Sequence, residues 1–129
     1  MNEMTVKNDV LPALLEKNSL GELIRPLVKE IHLFDTVIAG TIYIEDEEWY
    51  AQLQTGEKLS LQREDNRYDE KAIVIKNGKG DKLGYVPQRD NAVFSRLMDA
   101  GKRLSAKVNY ARKTDGFYRV GIGIYLEDF

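Results

Sequence analysis

The stretch QREDNRYDEKAIVI, residues 62–75, joins a very polar loop to a run of apolar residues. Seven charged side chains surround a single aromatic residue, Tyr68, and the apolar run Ala72–Ile75 follows directly. The β-branched residues of that run predict a strand, whereas the Asp and Asn residues before it favour a turn. The stretch therefore predicts a polar loop whose end is held firmly by a strand.

Short runs of the same kind lie on both sides of this stretch and are separated by turn residues. Asn77–Asp81 is rich in Gly and Asn and predicts a hairpin connection, and Lys113–Gly116 predicts another. Gly40 interrupts the first run and predicts a bend or a bulge. The predicted strands cover residues 31–44, 49–53, 58–63, 72–76, 82–86, 103–112 and 117–126.

Two or three short helices are predicted around these strands. Asp9 can cap the first, with Pro12 in its first turn, and the capping box Ser19–Glu22 begins the second. Asp90 can cap the third, which Gly101 ends. About seven short strands, with one helix between the strands at residues 82–86 and 103–112, predict a mainly β fold. This fold is either a small β-barrel or a strongly curved sheet with helices over its open ends.

The composition limits the chemistry that the chain can perform. Its 129 residues include no cysteine and one histidine, His32, so a thiol nucleophile, disulfides and the usual zinc sites are not expected. The carboxylates of Glu45–Glu48 fit a solvated turn better than a cation site, because neighbouring residues at a strand end point in different directions. No nucleophile elbow or phosphate-binding Gly-Lys-Ser/Thr loop is present. We therefore expect no catalytic residue, no metal and no cofactor.

Charge is unevenly distributed along the chain, although the net charge is only −2. Residues 57–113 carry 14 lysines and arginines against 8 aspartates and glutamates, a balance of +6, whereas the remaining residues carry 5 against 13, a balance of −8. The middle of the chain thus predicts a locally basic surface of the kind that binds nucleic acid. No membrane span or signal peptide is visible, so we expect a cytoplasmic protein without a membrane partner.

Two interpretations of the polar loop remain open from its residues alone. In the first, Asp65, Asn66 and Asp69 cap the turn through hydrogen bonds to the backbone, and Tyr68 covers the rim of the barrel. In the second, the Tyr68 ring is a stacking platform for a nucleobase, and nearby cations contact phosphates. Those cations are Arg63, Arg67 and Lys71.

A second ring, Tyr85, ends the next predicted strand, and Gln88 and Arg89 follow it closely. Neighbouring strands of a hairpin bring their ends to the same edge of a sheet. In the second interpretation, Tyr68 and Tyr85 are therefore expected to line a single groove together with the nearby cations.

Four segments are specific in combination, and they are LFDTVIAGTIYI, LSLQREDNRYDEKAIVI, GDKLGYVP and NAVFSRLMDAG. By these segments, residues 33–99 resemble a HIRAN domain. The resemblance extends over the two C-terminal strands and leaves out the start of the chain. We therefore predict an N-terminal helical extension, residues 1–30, and a HIRAN-like domain, residues 31–129, of a free-standing bacterial or phage type. The resemblance implies an OB-like curved β-barrel of about six or seven strands with two or three short helices.

The best understood relatives are attached to helicase-like ATPases that remodel stalled replication forks, where the domain binds single-stranded DNA and captures a free 3′-hydroxyl end. By position, Tyr68 would be a stacking ring and Asp69 the acceptor for that hydroxyl. Tyr85 takes the place of a histidine, and Gln88 that of a lysine that contacts a phosphate. The resemblance implies two partners, the 3′ end of single-stranded DNA and a helicase-like ATPase or another repair protein.

A further ring contacts a base in those relatives, and either Phe117 or Tyr118 stands at its place. Residues and resemblance together thus give a set of predicted DNA-binding residues. They are Arg63, Arg67, Tyr68, Asp69, Lys71, Tyr85, Gln88, Arg89, Phe117 and Tyr118.

The sequence also departs from these relatives. They carry an arginine and an aromatic residue shortly before the glycine of the first strand, where this chain has Thr36 and Val37. Loss of one ring is expected to weaken binding about tenfold or more, because stacking contributes roughly 1–3 kcal/mol per base. The alternative function is therefore a protein-interaction or regulatory module that docks a repair ATPase and binds DNA weakly or not at all.

Overall fold

The computed structural model describes residues 29–41 and 47–128 of the chain. The two helices predicted before residue 29 lie outside the described residues, as do residues 42–46 and 129. Residues Glu30–Glu127 form one compact unit. Within the described ranges the architecture is mainly β, with six antiparallel strands curled into a half-barrel and two short helices, which confirms the predicted fold class.

The elements in chain order are β1 (Lys29–Val37), α1 (Glu48–Ala51), β2 (Lys58–Arg63), β3 (Ile73–Lys76), β4 (Lys82–Tyr85), α2 (Gln88–Asp99), β5 (Arg103–Thr114) and β6 (Phe117–Asp128). The strands form one sheet in the order β1-β6-β5-β2-β3-β4, so β1 and β4 are its two edges. Inside it, β2 pairs with both β3 and β5, and the long strands β5 and β6 form a hairpin.

Both predicted hairpin connections are confirmed. Between β5 and β6, Asp115 and Gly116 have φ angles of 53° and 82°, the left-handed conformation that a two-residue hairpin loop requires. Between β3 and β4, the Asn77 side chain accepts the backbone N–H groups of Lys79 and Asp81 at 3.0 and 2.9 Å. The turns therefore depend on the positive φ angles and the side-chain to backbone hydrogen bonds for which these residue types are favoured in turns.

A short segment after β1 links the two edges of the curled sheet. Ile38 donates its N–H to the Val120 carbonyl of β6 at 2.9 Å, and Ala39 exchanges two backbone hydrogen bonds with Tyr85 of β4 at 2.8 and 2.9 Å. This close approach requires Gly84, whose φ is 151° and where an added Cβ would lie 2.4 Å from the Ala39 carbonyl oxygen. The segment thereby becomes the wall of the cavity described below.

The apolar faces of the strands meet in one core, which both helices cover. Phe94 enters the core from α2, and Tyr50 enters it from α1. The Tyr50 hydroxyl donates to the Leu83 carbonyl at 2.5 Å, and burial raises the pKa of Tyr50 to about 12. The most deeply buried aliphatic side chains are Leu59, Ile73, Ile75, Leu83, Val86, Val108, Val120, Ile122 and Ile124.

The predicted strand at residues 49–53 is wrong, because this region forms helix α1. The aromatic residues there favour a strand by local propensity, but Tyr50 makes tertiary contacts that decide the conformation. Its ring lies 5.5 Å from the ring of Tyr118 in a stacked arrangement, and its hydroxyl reaches β4. The described residues therefore contain six strands and not seven.

Helix α2 begins at Gln88, two residues before the predicted cap Asp90, and Pro87 occupies the N-cap position. Asp90 instead lies in the first turn, where a carboxylate interacts favourably with the helix dipole. It also accepts a hydrogen bond from Thr36 Oγ1 at 2.7 Å. The predicted end is confirmed, because the helix closes just before Gly101, which has a φ of 92°.

Candidate functional site

Residues 64–72 form a loop that is fixed by its own side chains. Asn66 Oδ1 accepts the backbone N–H of Tyr68 at 2.8 Å, and Asp69 Oδ1 accepts that of Lys71 at 2.9 Å. Asn66 and Asp69 therefore cap the turn, as the first interpretation of the loop predicts. The Tyr68 ring does not cover the rim in the way that interpretation requires, since Tyr68 is 81% exposed.

Arg63 holds the base of the loop. Its Nη1 donates to the Ala72 carbonyl at 2.6 Å and its Nη2 to the Glu70 carbonyl at 2.7 Å. Its Nε donates to the Asp99 carboxylate of α2 at 2.9 Å. The structure thus places this predicted phosphate contact in a network, the loop anchor (Arg63, Glu70, Ala72 and Asp99), that ties the loop to helix α2.

A cavity of about 400 Å³ lies between the loop, strand β4, the segment after β1 and the start of α2. Four of the predicted site residues line this cavity, which we call the Tyr68 cavity. They are Tyr68, Asp69, Tyr85 and Gln88. The remaining lining residues are Ala39, Gly40, Asn66, Ala72, Lys82, Gly84 and Val86. The expectation that the two tyrosines line one groove is met by this geometry.

Tyr68 presents an aromatic ring to solvent at the rim of the cavity. The Arg67 guanidinium carbon lies 5.0 Å from the ring centroid, and Arg67 Nη2 donates to the Tyr68 hydroxyl at 2.9 Å. The ring and the cation therefore hold each other in place. An exposed aromatic side chain with an adjacent arginine provides both a stacking surface and a positive charge.

Tyr85 is partly buried in the cavity wall and is fixed by two charged neighbours. Lys82 Nζ donates to the Tyr85 hydroxyl at 2.6 Å and lies 4.4 Å from the ring centroid. The hydroxyl in turn donates to Glu64 Oε1 at 2.6 Å. This hydrogen bond is the main cause that lowers the pKa of Glu64, with a smaller contribution from the charge of Lys82. The network fixes the ring of Tyr85 and leaves a lysine on the cavity surface.

Asp69 carries a carboxylate whose orientation is set by two donors. Oδ1 accepts the backbone N–H of Lys71, and Oδ2 accepts Nδ2 of the buried Asn91 at 2.8 Å. The Lys71 backbone hydrogen bond is the largest influence on the pKa of Asp69 and lowers it, and the side chains of Asn91 and Gln88 act in the same direction. The group is therefore an ionised acceptor at neutral pH.

Other predicted site residues lie outside the cavity lining. Lys71 and Arg89 are exposed, and the Arg89 side chain lies 3.7 Å from the carboxylate of its neighbour Asp90. Phe117 is 53% exposed on the β5–β6 hairpin, whereas Tyr118 packs against Tyr50. The structure thus brings four of the ten predicted residues to the Tyr68 cavity itself, with Arg67 beside them.

Lys82 and Asn91 belong to the site but were not indicated by the sequence. Lys82 lies in a hairpin strand among several lysines, and only the folded register shows that its amine covers the Tyr85 ring. Asn91 follows the predicted cap residue and reads as an ordinary residue of a helix start. Its burial and its hydrogen bond to Asp69 depend on the packing of α2 against the loop.

In the part of the chain that the structure describes, no group of three acidic, histidine or cysteine side chains is placed to hold a metal ion. None of its helices has the length and apolar character needed to span a membrane.

Comparison with known proteins places this geometry in a family. The family model of the HIRAN domain matches residues 31–127. A crystal structure of a Lactobacillus plantarum protein is similar with a TM-score of 0.73 and 26% identity, covering 79% of this chain and 99% of that one. The crystal structure of the HIRAN domain of human HLTF shares the fold with a TM-score of 0.58 and 17% identity, covering 77% and 81% of the two chains.

The NMR structure of the HLTF HIRAN domain gives a TM-score of 0.52, again at 17% identity, with 77% of this chain and 80% of that one covered. No curated protein matches the chain. The family model covers most of the chain, and the recognised residues of the loop and of β4 lie within it. The chain belongs to the HIRAN domain family, and residues 31–127 are its HIRAN domain.

Proposed function

We propose that this HIRAN domain is a non-catalytic module that binds single-stranded DNA at a 3′-hydroxyl end and serves DNA repair or replication-fork processing. The observation that carries the proposal is the convergence of Tyr68, Asp69, Tyr85 and Gln88 on one cavity of about 400 Å³. Rings, an oriented carboxylate and an amide are the groups needed to hold a terminal nucleotide without reacting with it.

Stacking on Tyr68 supports the binding of an unpaired base. The side chain is exposed while the loop that carries it is tied down by Asn66, Asp69 and the loop anchor. A ring held in place before binding loses little conformational entropy when a base stacks on it. In the proposal, Tyr68 takes the terminal base, and Tyr85 forms the opposing wall of the cavity.

Asp69 supports selection of an end over a continuous strand. Each of its carboxylate oxygens accepts a hydrogen bond from the protein and retains a further lone pair. A terminal hydroxyl can donate to such an oxygen, whereas an internal or terminal phosphate would place two negative charges side by side. The ionised state of Asp69, favoured by the backbone N–H of Lys71, makes this discrimination available at neutral pH.

Phosphate contacts are expected to be few. Arg67, Lys71 and Arg89 are exposed near the cavity and are proposed to meet the backbone of the DNA, whereas Arg63 is engaged in the loop anchor and is left out of the proposal. Gln88 is uncharged, so Lys82 is the cation on the cavity wall itself. A modest salt dependence should follow, because each phosphate contact contributes about 0.7 to the slope of log K against log salt for a single strand.

The test is a titration of two labelled oligonucleotides that differ only in a 3′-hydroxyl or a 3′-phosphate. Tighter binding of the hydroxyl form is expected, and the Asp69→Asn variant should bind both forms alike. Asp99→Asn is the matched control, because Asp99 is also a carboxylate that accepts hydrogen bonds but lies in the loop anchor, so the preference for the hydroxyl should remain. Equal affinity of the wild-type protein for both ends would rule out end recognition.

A second candidate function, docking of a helicase-like ATPase or another repair protein, is favoured by a specific feature of strand β1. Ile31, Leu33 and Phe34 are 43%, 36% and 41% exposed on this edge of the sheet. Substitution of Ile31 and Leu33 by serine should then abolish capture of the ATPase and leave DNA binding unchanged. Capture that instead depends on Tyr68 and Asp69 would assign the interaction to the cavity.

A further inference from the structure

The β5–β6 hairpin carries two arginines directly opposite one another. Arg112 and Arg119 are cross-strand partners in the antiparallel register and are both exposed. Their neighbours Ala111, Tyr118 and Val120 face the core, so the two arginines share the outward face. Like charges in this arrangement destabilise a sheet unless another group neutralises them.

The other cations of the hairpin each have a carboxylate beside them. Arg103 is the cross-strand partner of Glu127, Lys107 pairs with Glu30 at 3.1 Å, and Lys113 pairs with Glu47 at 3.0 Å. Within residues 29–41 and 47–128, no carboxylate forms an ion pair with Arg112 or Arg119. The arginine pair is therefore a concentrated positive charge on a surface whose other cations are compensated.

Tyr110 holds one of these arginines in place. Its ring lies against Gly121, its cross-strand partner, where an added Cβ would come within 2.2 Å of the ring. The Arg112 guanidinium carbon is 4.4 Å from the centroid of the same ring. A guanidinium held over a ring is oriented in advance for a bidentate contact with an anion, and its plane can also receive a base.

Arg119 lies on the strand that borders one wall of the Tyr68 cavity. Arg119 stands between Tyr118 and Val120 in β6, and both of these neighbours are bonded by the segment that walls the cavity. Ile38 donates its N–H to the Val120 carbonyl at 2.9 Å, and Thr41 Oγ1 donates to the Tyr118 carbonyl at 3.0 Å. Ala39 and Gly40, between these two residues, line the cavity. One segment of chain thus lies between the cavity and strand β6, which carries Arg119.

We infer that Arg112 and Arg119 bind the phosphodiester backbone of the same DNA strand on the 5′ side of its captured end. This inference rests on the proposed function, because it needs a strand that starts in the Tyr68 cavity. Two adjacent cations that no carboxylate of the described residues pairs with match a phosphate, and single-stranded DNA supplies a phosphate at every nucleotide that leaves the cavity. The contact would add affinity without reading sequence.

The test compares 3′-hydroxyl oligothymidylates of about 3 and about 12 nucleotides, since sites of roughly 4–16 nucleotides are usual for OB-type folds. In the Arg112→Ala/Arg119→Ala variant, affinity for the long strand should fall several-fold, and the slope of log K against log salt should decrease by about 1.4, which is two single-strand phosphate contacts. Affinity for the short strand should not change. The control is Lys79→Ala/Lys102→Ala, which removes the same charge from two exposed positions elsewhere.

An unchanged affinity and salt slope for the long strand, or an equal loss in the control, would overturn the inference. Failure of the proposed function gives a different result, in which the wild-type protein binds oligonucleotides with a 3′-hydroxyl and a 3′-phosphate equally well. Removal of the two arginines relieves the cross-strand repulsion and also removes the contact of Arg112 with the Tyr110 ring. Because the two effects oppose each other, the variant should melt close to the wild type, and a loss of affinity then reports binding and not unfolding.

Discussion

The two sides of the 64–72 loop use similar residues in opposite ways. At the loop anchor, the Arg63 guanidinium donates hydrogen bonds to two backbone carbonyls and to the Asp99 carboxylate. At the Tyr68 cavity, by contrast, Tyr68 remains 81% exposed, and Asp69 lines a space that the described side chains leave open. The difference shows how the loop combines rigidity with exposure. Hydrogen bonds on the anchor side restrict the loop before a ligand binds, so a ligand on the cavity side causes a smaller loss of conformational entropy.

The largest expected effect is on the anchor side. Arg63→Ala should lower the free energy of unfolding by about 2–4 kcal/mol, because it removes charge-assisted hydrogen bonds and leaves carbonyls of the loop without their donor. Urea denaturation measures the change. Arg96→Ala, an exposed arginine of α2, should stay within about 0.5 kcal/mol of the wild type. An Arg63→Ala protein as stable as the wild type would show that the loop does not depend on this anchor.

The next effect is on the cavity side and separates binding from stability. Tyr68→Ala should weaken binding of a 3′-hydroxyl oligonucleotide about 5- to 150-fold, which corresponds to the 1–3 kcal/mol of one stacked base. Its unfolding free energy should hardly change, because the ring is exposed. Tyr68→Phe keeps the ring and should bind nearly as the wild type does. A Tyr68→Ala protein that is unstable but binds normally when folded would reverse the assignment of the two sides.

A smaller effect concerns pH. Asp69 has a pKa lowered from 3.8, chiefly by the Lys71 backbone N–H, so the carboxylate stays ionised when the pH falls from about 7 to about 4.5. The preference for a 3′-hydroxyl over a 3′-deoxy end, which does not titrate, is about fivefold for a net hydrogen bond near 1 kcal/mol. It should therefore be constant over this interval and disappear only at still lower pH. Stability from the hydrogen bonds of this carboxylate should likewise be present above the unfolded-state pKa and be lost as the pH falls through the folded-state pKa.

Oligothymidylate is the suitable probe for this measurement, because its bases do not become protonated in that interval. Asp69→Asn provides the control and should show no preference at any pH. A preference that is lost between about pH 7 and pH 5 would mean that the pKa of the carboxyl group is raised, which contradicts its hydrogen bonding.

The smallest effect is expected at Lys82. Lys82→Gln should reduce affinity only a few-fold, since an exposed cation–π or phosphate contact is worth about 0.5–1 kcal/mol. The salt slope should fall by about 0.7, which is one phosphate contact on a single strand. Lys79→Gln in the neighbouring turn is the matched control. A loss as large as that of Tyr68→Ala would indicate that Lys82 mainly holds the Tyr85 ring and that this ring contributes more than Tyr68.

Sequence reasoning recovered the sheet well, for local reasons. The strand over residues 58–63 was predicted with its observed bounds, and both hairpin turns were found, because alternation and turn chemistry are properties of neighbouring residues. Residues 49–53 were misread because the conformation of Tyr50 is decided by Tyr118 and Leu83, far along the chain. Local patterns cannot show such contacts.

The candidate site was predicted in part. Tyr68, Asp69, Tyr85 and Gln88 were named in advance, and they line one cavity. Arg63 was grouped with the phosphate contacts because its neighbours in sequence are charged, yet its partners are backbone carbonyls that only the folded loop brings near. The outward pairing of Arg112 with Arg119 was invisible for a similar reason, since it depends on the register of a long hairpin with a bulge near Tyr110.

The most direct test of the central claim is backbone-amide NMR of the protein titrated with a short 3′-hydroxyl oligothymidylate. The account predicts that the largest shift changes fall on Tyr68, Asp69, Tyr85 and Gln88, and that they shrink when the oligonucleotide ends in a 3′-phosphate. Shift changes confined to other surfaces, or equal changes with both ends, would contradict the claim that this cavity recognises a DNA 3′ end.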